Sequence, residues 1–140
     1  MLIMILSSII SPYSFPGIRM EDLPRHDVGQ VRRDSRSVVA HAIIVDAIEK
    51  VTNLKLADFK SRTSNRALSE ARMIYCYQVR ILLEWSLKEI GIAMGGRDHT
   101  TIIHAIKMYH NSMETDDIFY ENNTEIESII KSRMKSLGIN

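Results

Sequence analysis

The chain of 140 residues contains one cysteine, three prolines and six glycines, and only 6% of its residues are Phe, Trp or Tyr. A lone cysteine excludes an internal disulfide, and without CxxC pairs no zinc site can be read. Cys76 reads as a small buried hydrophobe on a helix, because nothing near it in sequence builds the basic, exposed pocket that a reactive thiol needs. So few prolines and glycines suit an all-helical chain with few turns. No stretch alternates apolar and polar residues as a half-buried strand does, and no internal repeat is present. No apolar run approaches the roughly 20 residues of a membrane span. The most apolar stretch, Met1 to Ile10, also lacks the basic flank of a secretory signal. It reads as a disordered tail, as a tail packed on a partner, or as residues ahead of a later start at Met20. The expectation is a cytoplasmic protein with no membrane partner.

Hydrophobic residues make up 45% of the chain and charged residues 25%, ordinary values for a domain that buries a core without disulfide or metal staples. The net charge of +1 announces no nucleic acid. Its distribution says more. Five basic residues (Lys60, Arg62, Arg66, Arg72 and Arg80) stand between positions 60 and 80 against one acid, Glu70, whereas positions 114 to 127 hold six acids and no lysine or arginine. A basic segment offset by an acidic one hides an electrostatic footprint from the average. On charge alone, solvated helix faces remain the commoner explanation.

Residues 1–36 read as an irregular arm, broken by Pro12, Pro16, Gly17, Pro24 and Gly29. Ser37 is a candidate N-cap for a helix over 38–51 with Val38, Ala42, Val45 and Ile48 inward, closed by Asn53. Leu56 to Phe59 is a single apolar turn, followed by a basic loop from Lys60 to Asn65. A long helix over about 67–84 carries Leu68, Ala71, Tyr75, Val79 and Leu82 as one stripe. Tyr75, Tyr77 and Trp85 read as core rather than as stacking platforms for bases. Ser86, with Glu89 three residues on, caps a short helix that turns Leu87, Ile90 and Ala93 inward and ends at Gly95-Gly96. Asp98 caps a helix over 99–113 that buries Ile102, Ile106, Tyr109 and Met113. A final helix over 118–136, with Ile126, Ile130, Met134 and Leu137, either folds back on the bundle or offers a partner or dimer contact. The fold class is all-α, a small helical bundle.

Two helices joined by a tight glycine turn, as from Ser86 to Met113, make a helix-turn-helix. The first turn of its second helix is the part that reaches base edges in a major groove. Here that turn is Arg97-Asp98-His99-Thr100-Thr101. Threonine offers a methyl to thymine and a hydroxyl to a base or phosphate, histidine meets a purine edge, and a carboxylate accepts from cytosine. Arg97 and the helix amides suit phosphate. The same two helices and turn also occur in plain bundles.

The run from Ser86-Leu87-Lys88-Glu89-Ile90-Gly91 through Gly95-Gly96-Arg97-Asp98-His99-Thr100-Thr101 to His104-Ala105 resembles the C-terminal DNA-binding domain of the bacterial replication initiator DnaA. The likeness runs back through Arg72, Arg66 and Leu56-Ala57-Asp58-Phe59 to about Ile44, and forward to about Met113. It implies a Trp-repressor-like fold, double-stranded DNA as partner, recognition of short asymmetric DnaA boxes, and a cytoplasmic, nucleoid-associated protein. It implies base contacts from Asp98, His99, Thr100 and Thr101. Backbone contact or support falls to Arg97, His104 and Lys107, and phosphate-facing positions of the long helix to Arg72 and Arg80. In this family the basic loop sends an arginine into the minor groove. The matching position is Ser64, with Arg62 and Arg66 on either side. Ala71 stands where the family has proline, Glu70 where it has a basic residue, and Met73 where it has glutamine. These departures foretell a major-groove preference better kept than the flanking one. The division expected is an arm over 1–36, the DNA-binding domain over 37–114 and a helical extension over 115–140.

Residues 1–36 hold no phosphate loop. Gly91 and Gly96 have a similar spacing to one, but Arg97-Asp98 follow in place of Lys-Ser/Thr and a helix precedes, so no nucleotide and no other cofactor is expected. His99, His104 and His110 stand five and six apart, which does not put two on one helix face for a metal. Adjacent Asp98 and His99 splay apart with no nucleophile beside them, so no enzyme is expected. The competing function is a transcription regulator, or a protein-interaction module that kept the fold without box-specific binding. Its protein partner or dimer contact would use the 1–36 arm or the 118–136 helix.

Overall fold

The computed structural model describes residues 35–139, so residues 1–34 of the arm lie outside it. The described residues divide into two units between Val39 and Ala40. Of the first, the described residues are the opening of a helix, Ser35 to Val39. Across the described residues run six helices and no strand: α1 (Ser35–Thr52), α2 (Leu56–Lys60), α3 (Arg66–Leu82), α4 (Leu87–Ala93), α5 (His99–Thr115) and α6 (Asp117–Ser136). None is long and apolar enough to cross a membrane.

The second unit is organised by α3 packed against α5, with α4 and α6 also on α5 and α2 on α3. Phe59, Ile74, Tyr75, Val79, Ile90, Met94, Ile102, Phe119, Ile126 and Ile130 form its core with the inner face of α1. Each such side chain stabilises by about 1.5–3 kcal/mol relative to an exposed one. Tyr77 stacks on Tyr109 with ring centroids 3.9 Å apart, and His41 stacks on Trp85 while its Nε2 lies 2.7 Å from the Tyr75 hydroxyl. The three aromatics expected in the core are therefore packed, Tyr75 and Trp85 fully and Tyr77 partly.

Three stripes differ from expectation. In α1 the buried residues are Ala40, Ile43, Ile44, Ala47 and Ile48, while Ala42 is exposed and Val38 and Val45 are half-buried. That helix is apolar on more than one side, so periodicity alone selects no face, and packing took in the side carrying Ile43 and Ile44. Ser37 lies inside α1 rather than capping it. Leu82 and Leu137 are exposed, at the C-terminal ends of α3 and α6. Leu87, Ala93, Ile106, Met113 and Met134 are half-buried.

The caps follow the sequence closely. Asn53, at φ 60°, closes α1, a conformation asparagine tolerates better than most residues. The Asn65 side chain accepts from the Leu68 amide at 2.9 Å and starts α3. Ser86 and Glu89 form a reciprocal capping box, at 3.0 and 3.1 Å. Asp116, the one residue between α5 and α6, accepts from the Phe119 amide at 3.1 Å. The last helix folds back on the bundle, burying Phe119, Asn123, Ile126 and Ile130. The Gln78 amide donates to Glu127 at 3.2 Å, and Arg133 pairs with Asp46 of α1.

Candidate nucleic-acid interface

Asp98 starts α5. One carboxylate oxygen accepts the His99 amide at 2.8 Å and the other accepts the Thr100 hydroxyl at 2.5 Å. His99 Nδ1 lies 3.0 Å from the first oxygen. Ile102, buried, anchors the turn from beneath, while Asp98, His99, Thr100 and Thr101 are all exposed above it. His104 and Lys107 follow Thr100 at helical spacing and are exposed as well, so one face of α5 carries Thr100, His104 and Lys107 to solvent. The hydrogen bonds from Thr100 and His99 hold the Asp98 carboxyl below its usual pKa. At Asp116 the Phe119 amide, aided by Arg66, does the same.

A carboxylate whose folded-state pKa is depressed adds stability above its unfolded pKa and loses it as pH falls through the folded value. An aspartate ordinarily titrates at 3.8, so these increments are present at neutral pH and decline below about pH 4, as pH falls through the lowered folded-state values. The double variant Asp98→Asn/Asp116→Asn, which keeps capping side chains but cannot titrate, is expected to show a smaller drop in Tm between pH 6 and pH 2 than the parent. Thermal melts over that range check it, and an unchanged drop contradicts it.

Beside this turn lies the basic loop. A cleft of about 260 Å³ separates Lys60 and Arg62 from Gly95, Gly96, Arg97, Asp98 and Thr101. A second, of about 340 Å³, runs on between Arg62 and Ser64 of the loop, Arg72 and Met73 of α3, and Thr101, His104 and Met108 of α5. Arg62 is exposed and has no hydrogen-bond or ion-pair partner among the described residues. Met73 and Ser64 both line the second cleft.

Four further arginines, Arg66, Arg72, Arg80 and Arg97, are engaged within the domain. Arg72 donates from Nε to the Phe59 carbonyl at 2.8 Å and from Nη2 to those of Ser61 and Thr63 at 2.9 and 2.7 Å. Arg97 donates to the same Phe59 and Ser61 carbonyls, at 3.2 and 2.8 Å, and to that of Met94. The sequence assigns both to the DNA backbone. Within the domain, the carbonyls at the C-terminal end of α2 lie within reach and accept from both. Arg80 likewise donates to the Trp85 carbonyl at 2.7 Å, though it stays exposed. Arg66 pairs with Glu70 at 3.0 Å and Asp116 at 2.7 Å, which ties it to the junction of α5 and α6 rather than to the first turn of α5. Of the expected contacts, the fold therefore gathers Asp98, His99, Thr100, Thr101, His104, Lys107 and Arg62 around one surface. Burial pushes the Cys76 thiol up to about 12, despite nearby Arg97 and Arg72, so it is protonated and inert at neutral pH.

Two residues of the site are missing from the sequence assignment. Lys60 faces the first cleft beside Arg62. Gly91, inside α4, faces the turn so closely that a Cβ there would lie 2.1 Å from the Arg97 carbonyl oxygen. Its own carbonyl accepts the Gly96 and Arg97 amides at 3.0 and 2.8 Å. The available signal was a glycine inside a helix, where it costs about 1 kcal/mol relative to alanine and so implies a close approach. Gly95, at φ +87°, has its own constraint: a Cβ would sit 2.7 Å from the Lys60 carbonyl oxygen. The glycine turn thus rests on the end of α2.

A short helix, a glycine turn and a longer helix with an exposed, capped first turn define a helix-turn-helix domain. Residues 41–108 match the family described as bacterial dnaA protein helix-turn-helix, and that segment of the chain belongs to it. The chain is 34% identical over 101 residues to the chromosomal replication initiator protein DnaA of Wolbachia pipientis wMel, covering 72% of this chain and 22% of that protein. It is 32% identical over 110 residues to the protein of that name from Thermodesulfovibrio yellowstonii, covering 79% and 24%. With that of a Thermoanaerobacter species the identity is 30% over 110 residues, covering 79% and 25%. The chain thus spans about a quarter of the length of these relatives.

Proposed function

We propose that this domain binds double-stranded DNA at DnaA-box-like sites, in replication initiation or its regulation, with the first turn of α5 in the major groove. The observation that carries the reading is the ridge from Asp98 to Thr101, exposed, anchored by buried Ile102 and flanked by a loop whose Arg62 is unpartnered among the described residues. Thr100 and Thr101 present methyls and hydroxyls to base edges, and His99 presents a ring nitrogen. The Asp98 carboxylate orients Thr100 and keeps acceptor capacity for a cytosine amino group. Lys60, His104 and Lys107 take phosphates. Of the arginines flanking Ser64, Arg62 is the groove-reading candidate, because Arg66 is held by two carboxylates.

Fluorescence anisotropy with a labelled duplex carrying a DnaA box, against a scrambled duplex over a salt series, tests this. A preference for the box supports the proposal. Equal, steeply salt-dependent binding to both reduces it to backbone attraction, and no binding by folded protein overturns it. Lys107→Ala is expected to weaken binding to both duplexes alike and to lower the slope of log K against log salt by about 0.9, the share of one phosphate contact. An unchanged slope removes Lys107 from the contact set.

A further inference from the structure

Arg72 and Arg97 come from different elements, α3 and the glycine turn, yet converge on the same two acceptors, the carbonyls of Phe59 and Ser61. Arg72 also reaches Thr63, and Arg97 reaches Met94 at the start of the turn. Two guanidinium groups so placed repel each other. Burial, and then the neighbouring Arg97, lower the Arg72 pKa. The arrangement holds because each guanidinium donates to at least three backbone carbonyls, and hydrogen bonds from a charged donor are stronger than neutral ones. The exposed side chains of Lys60 and Arg62, on the same segment, line the cleft beside Thr101.

We infer that Arg72 and Arg97 are positioning residues that clamp the 59–63 segment to α3 and to the glycine turn, so that Arg62 and the first turn of α5 engage DNA as one rigid unit. The inference rests on the proposal that Arg62 and α5 touch DNA. It departs from a phosphate-contact role for Arg72 and Arg97. A phosphate contact needs charge at the right place, which lysine also supplies. A clamp on several carbonyls needs the planar fork of arginine, which lysine lacks.

The test compares Arg62→Ala, Arg72→Lys and their combination for affinity to the DnaA-box duplex at one salt concentration. In parallel, backbone amide order parameters of residues 60–64 are measured by NMR without DNA. Arg62→Ala is expected to weaken box binding roughly tenfold, as one lost groove contact. Arg72→Lys is expected to weaken it to a similar extent, and the double variant no further than either single one. The order parameters are expected to fall from about 0.85 to below about 0.6 in Arg72→Lys. Losses that multiply in the double variant, or an Arg72→Lys protein that binds like the parent, overturn the clamp. So does a loop that keeps its order. A parent without box preference defeats the DNA-binding proposal and the coupling with it, while the order parameters alone still report whether arginine holds the loop. Should Arg72→Lys not fold by circular dichroism, Arg97→Lys carries the same comparison.

Discussion

Replacing Thr100 and Thr101 together by alanine is expected to lower affinity for a DnaA-box duplex by on the order of a hundredfold while leaving binding to a scrambled duplex nearly unchanged. Both side chains are exposed on the first turn of α5, and neither contributes to the core. Their removal therefore subtracts base contacts, each good one adding about 1–3 kcal/mol of discrimination, rather than fold. The Thr100 hydroxyl also donates to Asp98 at 2.5 Å, so its loss frees one cap oxygen. The other oxygen still accepts the His99 amide, and alanine is the better helix former. Thermal melts should thus show little change. Anisotropy on both duplexes at fixed salt decides the matter. An equal loss on both would assign the threonines to the backbone, and no loss on either would take the first turn of α5 out of the interface.

Gly91→Ala is expected to destabilise the domain by about 3 kcal/mol and to lower Tm by roughly 10 °C or more. A Cβ at that position meets the Arg97 carbonyl oxygen at 2.1 Å, far inside any tolerated contact. The obstructing atom is backbone and cannot swing aside. The turn would have to lift off α4, losing the bonds from the Gly96 and Arg97 amides to the Gly91 carbonyl. Because Arg97 leads directly into Asp98, the shift would also displace the start of α5 and reduce DNA affinity beyond what unfolding explains. Elsewhere in a helix the same substitution stabilises, since alanine restricts the unfolded chain more than glycine does. Unfolding curves of Gly91→Ala against the parent decide the sign, and a Tm within a degree or two would show that the turn has room to move.

The second half of the domain was legible because its signals are local. Ser86 with Glu89, the two glycines and Asp98 each act within a few residues, so the short helix, the turn and the start of α5 were expected where they occur. The exposed set Asp98, His99, Thr100 and Thr101 follows from the same cap, which fixes which residues come before the first buried one, Ile102. In α1 the same reasoning chose the wrong stripe, because apolar residues on several sides leave the choice to the partners.

For the arginines, a count of basic residues shows positive charge but not direction. Arg62, Arg66, Arg72, Arg80 and Arg97 look alike in the sequence, yet only tertiary structure distributes them. Arg66 meets a carboxylate fifty positions away, Arg97 and Arg72 meet the end of α2, Arg80 meets the carbonyl before α4, and Arg62 is left over the cleft. A guanidinium goes to whatever acceptors the fold brings within 3 Å or so, and those acceptors are backbone atoms that carry no sequence signature. By itself the sequence determined that the chain is helical, where its helix-turn-helix begins, and which turn faces outward, since caps, glycines and periodicity act over a few residues. The folded domain decided which cations remain for a partner and why position 91 must be glycine, since both depend on distances between segments that meet only when the chain is packed.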